Sequence, residues 1–419
     1  VTVVPRPVAA ETRVPRRAQL WGPFGFRDFR LLWAGMVFAN FGTWIQFTAL
    51  GYYVAKLAPN VAVGSFYIGL IGASRMLPVL ICSPIAGVVA DCFPRRRTLL
   101  LTNGVLTILA IALAAATWLD VGGLPMLMAI SALTAAAQSF DNPARQSWVS
   151  LLVPREMIGN AIGLNSLAFN GPAVIGPPIA GIVIAAVGVP ACMVANVVTA
   201  AWVMLMIFFM QPAPATAARR SSYVRSFTDG IRFIYRHDVL RWVILMIVVT
   251  SLSVRSYNFL LPAFAVHELG QDATGLGWLM GAAGFGAMCG ALSVAWLQPR
   301  RRSRMWVVAL MLATAGVAAL GLSHGMWAAA LILFIVSGGT QAFAGSSNVL
   351  TQTLAPEEMR GRAMSVYTMV MLGLVPGGAL ICGSIAMLVD LRIVFVGAGA
   401  LACAIGLWVY LAHPRLRAA

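Results

Sequence analysis

The sequence predicts an all-α membrane protein of twelve transmembrane helices arranged as two parallel six-helix halves. Three observations lead there. The 419-residue chain is 60% hydrophobic and only 10% charged, against roughly 25% charged in a soluble domain. Twelve apolar segments reach the roughly 18–25 residues needed to cross a bilayer. Finally, "VPREMIGNA" at 153–161 returns without a gap as "APEEMRGRA" at 355–363.

In chain order the segments lie at about 30–56, 66–90, 98–118, 124–148, 159–187, 190–210, 241–266, 273–296, 305–323, 327–350, 363–388 and 392–412. Several are rich in Gly and Pro, which membrane helices tolerate when neighbours satisfy the freed backbone groups. Before them, residues 1–27 carry arginines and prolines but no apolar run, and do not read as a secretory signal.

Orientation follows from the basic residues, of which only Lys56 is a lysine. One set of connections holds Arg95, Arg96, Arg97, Arg155, Arg219 to Arg241, Arg300 to Arg304, Arg360 and Arg362. The alternate set holds Asp120, Glu268, Asp272, His324 and Asp390, with Lys56 and Arg392 at its edges. Positive residues stay cytosolic, so the expectation is a cytoplasmic (inner) membrane protein with both termini in the cytosol. The net charge of +16 is thereby spent on topology. A nucleic-acid binder would gather it on one face of a soluble domain.

Residues 211–240 divide six spans from six. They begin flexible and then become amphipathic, with Phe227, Ile231, Ile234 and Tyr235 at helical spacing. The expected organisation is a cytosolic tail (1–27), a first six-helix bundle (28–210), a linker with a surface helix (211–240), a second bundle (241–413) and a short tail (414–419). The repeat supports two related halves: Pro154, Glu156, Met157, Gly159 and Ala161 fall on Pro356, Glu358, Met359, Gly361 and Ala363. Six cysteines, Cys82, Cys92, Cys192, Cys289, Cys382 and Cys403, form no C-x-x-C pair. Free thiols are expected, with no metal and no cofactor.

Polar residues inside spans need a reason, since a charge at the bilayer centre costs about 2.5–3.5 kcal/mol on insertion scales. Arg255 lies near the middle of span 7. Ser251, Arg255, Asn258 and Pro262 share one face of a regular helix, which is expected to line a central cavity. There Arg255 either holds an anionic or oxygen-rich molecule, modulates a coupling acid, or bonds helix carbonyls. Arg75 in span 2 is equally a structural or a substrate residue. Asn40 and Thr43 in span 1, Gln138 in span 4, Gln341 in span 10 and Tyr367 in span 11 are further cavity candidates. Asp141, the acid deepest within a span, is the candidate for proton coupling. Its alternative is a fixed ion pair with Arg145.

This organisation resembles the major facilitator superfamily, and "GVVADCFPRRR" at 87–97 is similar to that family's signature between spans 2 and 3. Gly87, Asp91, Arg95 and Arg96 match it, while Cys92 and Pro94 depart from it. The resemblance implies a cytosolic latch in which Asp91 meets Arg145 and the start of span 11. The residues alone allow a topological anchor. "FRDFRLLWAG", "DNPARQSWVSLLVPREMIGNAIGLNS" and "PEEMRGRAMSVYTMVMLGLVPGGALICG" resemble the proton-driven exporter branch that contains the enterobactin exporter and macrolide efflux pumps. "GPPIAG" in span 5 is similar to the antiporter signature through Gly163, Gly176, Pro177, Ala180 and Gly181, with Ala173 where the branch often has Arg.

The resemblance implies a monomeric secondary exporter. Its partners would be a small molecule (siderophore-like metabolite or amphiphilic drug), protons and the lipid bilayer. A lipid or lysolipid flippase of the same fold is the alternative. A membrane enzyme is disfavoured, because no paired-Asp metal site, His–Glu cluster or nucleophile elbow is present. A transport-dead sensor would not need a latch and a polar cavity.

Overall fold

The computed structural model describes residues 21–149, 152–211, 223–295 and 302–414. Among them, twelve helical rods of membrane-spanning length follow one another. Spans 1 to 6 are Arg27–Leu57, Val61–Cys92, Arg95–Leu119, Gly123–Val149, Ile158–Val187 and Val189–Phe208. Span 7 is built from Leu240–Ser253, Tyr257–Ala263 and a π-turn, Phe264–Glu268. Spans 8, 9, 10 and 12 are Ala273–Ala295, Arg302–Gly321, Met326–Leu354 and Leu391–Ala412, and span 11 is Glu357–Gly373 followed by Val375–Ile385. Eleven of these are apolar enough to cross a membrane by composition as well as length. Span 1 has the length but carries Asn40, Thr43, Gln46 and Thr48.

Helix starts at the acid-bearing end are capped by the polar residues of its short connections. Asn60 Oδ1 accepts from the Val63 amide at 2.9 Å, Asp272 Oδ1 from Gly275 at 2.8 Å, and Asp390 Oδ1 from Arg392 at 2.7 Å. Each satisfies an amide that the helix itself leaves unpaired. Span 3 ends on Asp120 in the left-handed region, φ 51°, and the Tyr53 hydroxyl donates to its carboxylate at 2.6 Å.

The packing repeats between the halves. Span 1 packs on 5 and 6, span 2 on 4, and span 3 on 4 and 6. Likewise span 7 packs on 11 and 12, span 8 on 10, and span 9 on 10 and 12. Two seams join the halves, span 5 on span 8 and span 11 on span 2, and they exchange when six is added to each span number. Large apolar residues such as Leu77, Leu101, Ile108 and Val187 point outward, as expected where lipid is the solvent.

One detail differs from the sequence expectation. Span 7 is not one regular helix: the Arg255 amide bonds Thr250 O, five residues back, at 2.8 Å. This wide turn rotates everything beyond it, so the predicted face splits. Arg255 and Asn258 reach a cavity, Ser251 is fully buried, and Pro262 packs on Gly51, where a Cβ would lie 2.6 Å from the ring. The linker forms an amphipathic helix, Tyr223–Arg236. Ile234 is buried, but Ile231 and Tyr235 are exposed, and the side chain of Phe227 lies outside the described part. Gly230 brings this helix against span 11, where its Cβ would be 2.7 Å from Arg362 O.

Candidate functional site

The site follows from how the halves meet. At the acid-bearing end one apolar core draws on both, from Ile45, Tyr52 and Ile68 to Leu260, Leu276 and Cys382. At the arginine-rich end there are two cores. One belongs to the first half, around Phe29, Leu99 and Trp148, and one to the second, around Leu240, Trp306 and Phe343. The molecule is therefore joined at one end and parted at the other.

Glycines make the joined end. In the span 5–8 seam a Cβ on Gly181 would lie 2.5 Å from Ala273 O, on Gly277 2.7 Å from Pro177 O, and on Gly284 2.3 Å from Ala173 O. In the span 2–11 seam, a Cβ on Gly69 would lie 2.9 Å from Ala379 O and one on Gly383 2.5 Å from Ser65 O. Small residues let backbones approach this closely. Toward the arginine-rich end a Cβ on Gly159, Gly163 or Gly361 would have nothing within 4 Å among the described residues. So Gly176, Pro177, Ala180 and Gly181 sit at helix contacts, Gly176 against Trp44 of span 1, whereas Gly163 does not.

Two cavities occupy the space behind the joined end. One, of about 660 Å³, is lined chiefly by the second half and includes Arg255, Asn258, Gln341 and Tyr367. The other, of about 300 Å³, lies in the first half and includes Asn40, Thr43, Gln138, Asp141 and Arg145. Trp44 and Phe169 line both. The volumes fall within the roughly 300–1,000 Å³ of small-molecule pockets.

The candidates occupy different situations within these walls. Arg255 Nε is buried without a hydrogen-bond partner, while Tyr367 is fixed by donating to Ala344 O at 2.8 Å. Asn40 donates to Met36 O at 2.8 Å and to Ala168 O at 3.3 Å, and Thr43 to Ala39 O at 2.9 Å. Arg75 does not line a cavity directly; it donates to Gln138 Oε1 at 3.0 Å and so braces a residue that does. Asp141, 4% exposed, is held on both oxygens. Oδ1 accepts from Asn103 at 2.7 Å and Thr102 at 3.0 Å. Oδ2 accepts from Arg145 Nε at 2.9 Å and Nη2 at 2.5 Å.

The residues of the expected cytosolic latch fall partly outside the described part. Gly87 and Asp91 lie in the last turns of span 2, and their side chains are outside the described part. Arg145 pairs with Asp141 in its own helix. Arg96 donates to Phe208 O at 2.5 Å and Ile207 O at 3.4 Å, capping the C-terminus of span 6, where a cation is favoured. Arg95 also has a partner.

Three contacts escape a reading of the sequence. Arg362 of span 11 pairs with Asp229 of the linker helix at 3.0 Å. Arg392 pairs with Glu268 at 2.6 Å and also donates to Ser323 O at 2.5 Å. His267 of span 7 bonds Ala55 O of span 1 across the halves at 2.9 Å. Only Arg392 left a signal, as an arginine on the arginine-poor side.

The transmembrane secretion effector family model matches residues 18–418. The chain belongs to this family of major facilitator transporters. A multidrug efflux pump, Tap, of Mycolicibacterium fortuitum is 26% identical over 368 residues, covering 83% of this chain and 87% of the pump. Among solved structures, a POT family transporter in complex with 5-aminolevulinic acid aligns with a TM-score of 0.72 at 14% identity, covering 93% and 97% of the two chains. A bacterial homologue of the iron transporter ferroportin, in an inward-facing state, aligns with a TM-score of 0.67 at 17% identity, covering 91% and 98%. At these identities the structural likenesses show the fold. This family member is thus a multi-pass membrane transporter with one cavity in its first half and one lined chiefly by its second.

Proposed function

We propose that this transporter exports an anionic or oxygen-rich small molecule, a siderophore-like metabolite or an acidic amphiphile, by alternating access. The observation that carries the reading is Arg255: a half-buried arginine in the wall of a 660 Å³ cavity, its Nε buried without a partner. A buried unpaired N–H forfeits about 1–3 kcal/mol, which an arriving carboxylate or phosphate oxygen returns as a charge-assisted bond. No acidic residue lines that cavity among the described residues. In the neighbouring cavity Asp141 already faces Arg145, so a cationic cargo would find no free counter-charge. Export rather than uptake is supported by the family and by the similarity to an efflux pump.

The protein acts as a monomer in the cytoplasmic membrane, with its arginine-rich end toward the cytosol. The parted end then faces the cytosol and loads cargo there. Proton entry is the proposed drive, with Asp141 as the coupling group. A proton on Oδ2 displaces Arg145 and frees a second guanidinium beside the cavity.

Untargeted mass spectrometry of small molecules inside and outside cells, with the gene deleted and restored, tests the reading. At least one acidic compound should be retained in the deletion strain and released on restoration. Retention of cationic amphiphiles alone would overturn it.

A further inference from the structure

Seven buried side-chain polar atoms lack a hydrogen-bond partner among the described residues. Only two belong to residues lining the two cavities, and they differ in kind. Arg255 Nε, in the second half's cavity, is a donor. Asn165 Oδ1, in the first half's cavity, is an acceptor. Leaving either group unpaired in a membrane interior is costly, and each belongs to a residue in the wall of a cavity.

The walls around the two atoms differ in the same sense. The cavity that Asn165 lines is also lined by neutral amides, among them Asn142, Gln146 and Gln46. The charges of that wall, Asp141 and Arg145, are spent on each other. Around Arg255 the wall carries a positive charge with no acid in it. Between the two, Trp44 and Phe169 border both spaces. Aromatic faces in that position suit a flat apolar group.

We infer that the first half's cavity is a separate subsite for an uncharged, hydrogen-donating group, so that the cargo has two unlike ends. Hydroxyl or amide N–H donors at one end meet Asn165 and the amide wall. An aromatic middle lies by Trp44 and Phe169, and a carboxylate or similar acid at the other end meets Arg255. This inference rests on the acidic-cargo reading above and adds the second end and the middle. A sugar joined to an aromatic acid, or an aromatic ring joined to a sugar acid, has this pattern of groups.

Equilibrium dialysis of the purified full chain in nanodiscs tests it with three probes: 4-nitrophenyl β-D-glucuronide, 4-nitrophenyl β-D-glucoside and 4-nitrobenzoate. The glucuronide, which has hydroxyls, ring and acid, should bind at least tenfold tighter than either of the others. Asn165→Leu should bring the glucuronide down to the benzoate's affinity and leave the benzoate unchanged. Gln146→Leu, on a different helix, should reduce the same preference by about threefold, which guards against misfolding of the first variant. Arg255→Gln should bring the glucuronide down to the glucoside. If neither Asn165→Leu nor Gln146→Leu alters the ratio of glucuronide to benzoate affinity while Arg255→Gln still weakens both, the subsite is wrong and the acid site stands. If no anionic probe binds in an Arg255-dependent way, the acidic-cargo reading itself fails.

Discussion

Arg145 grips Asp141 through two nitrogens, Nε at 2.9 Å and Nη2 at 2.5 Å, one turn further along span 4. Their side chains are 11% and 6% exposed. A lone buried charge is far more costly than a pair, and removing one partner typically costs about 3–5 kcal/mol. Asp141→Asn should therefore lower thermal stability in detergent, and adding Arg145→Gln should restore part of it. In proteoliposomes the same double variant should transport without acceleration by a pH gradient. Unchanged pH dependence would remove Asp141 from coupling.

The glycine seam predicts a contrast between two substitutions of the same kind. Gly284→Ala places a methyl 2.3 Å from Ala173 O, a backbone atom that cannot rotate away. Overpacking of this sort costs about 1–3 kcal/mol and should lower the melting temperature. Gly163→Ala adds its methyl where nothing among the described residues lies within 4 Å and should leave the melting temperature of this state unchanged. Differential scanning fluorimetry on both variants checks the pair.

Arg392 shows why a salt bridge can be more than two charges. It reaches Glu268 Oε2 at 2.6 Å, Glu268 O at 3.1 Å and Ser323 O at 2.5 Å, tying the end of span 7 to the start of span 12 and the end of span 9. A lysine cannot make this fork of contacts. Arg392→Lys should be destabilised nearly as much as Arg392→Ala, by about 1–3 kcal/mol. Full stability of the lysine variant in chemical denaturation would contradict this.

His237 gives a pH dependence with a definite sign. Its Nδ1 accepts from the Val239 and Leu240 amides, both at 3.2 Å, at the entry to span 7. Burial pushes its pKa below the ordinary value of 6.5, so the unfolded chain takes up the proton first. The cap is fully present above pH 6.5 and is lost as pH falls through the lower folded value. His237→Asn, which keeps a side-chain acceptor, should flatten the loss of stability on acidification. Melting curves across pH 5 to 8 read this directly, and an identical slope in both proteins would rule out the cap.

The architecture was legible because a bilayer leaves few solutions: apolar length gives the spans. The polar residues within spans likewise announced the cavities, and Arg255, Asn258, Gln341 and Tyr367 meet in one of them while Asn40, Thr43, Gln138 and Asp141 meet in the other. What stayed hidden depends on tertiary geometry. The i to i−5 bond at Arg255 leaves no mark in a helical periodicity, so a regular helix predicts Ser251 on the cavity face, whereas it is buried. Arg96 and Arg362 read as topological charge, and only the approach of span 6 and of the linker helix shows what they bind. Asn165 was overlooked because an asparagine in a glycine-rich span looks like packing until its oxygen is seen to be unpaired.

The central claim is that Arg255 holds the acidic group of the cargo. Losing a hydrogen bond to a charged group costs about 1.5–3 kcal/mol, or roughly 10- to 100-fold in affinity. The most direct test incubates the nanodisc-embedded wild type and Arg255→Gln with the cell's own small-molecule extract, washes them, and identifies what each releases by mass spectrometry. The account predicts acidic compounds retained by the wild type and lost from the variant. The same set of compounds on both proteins, or cationic compounds on both, would contradict it.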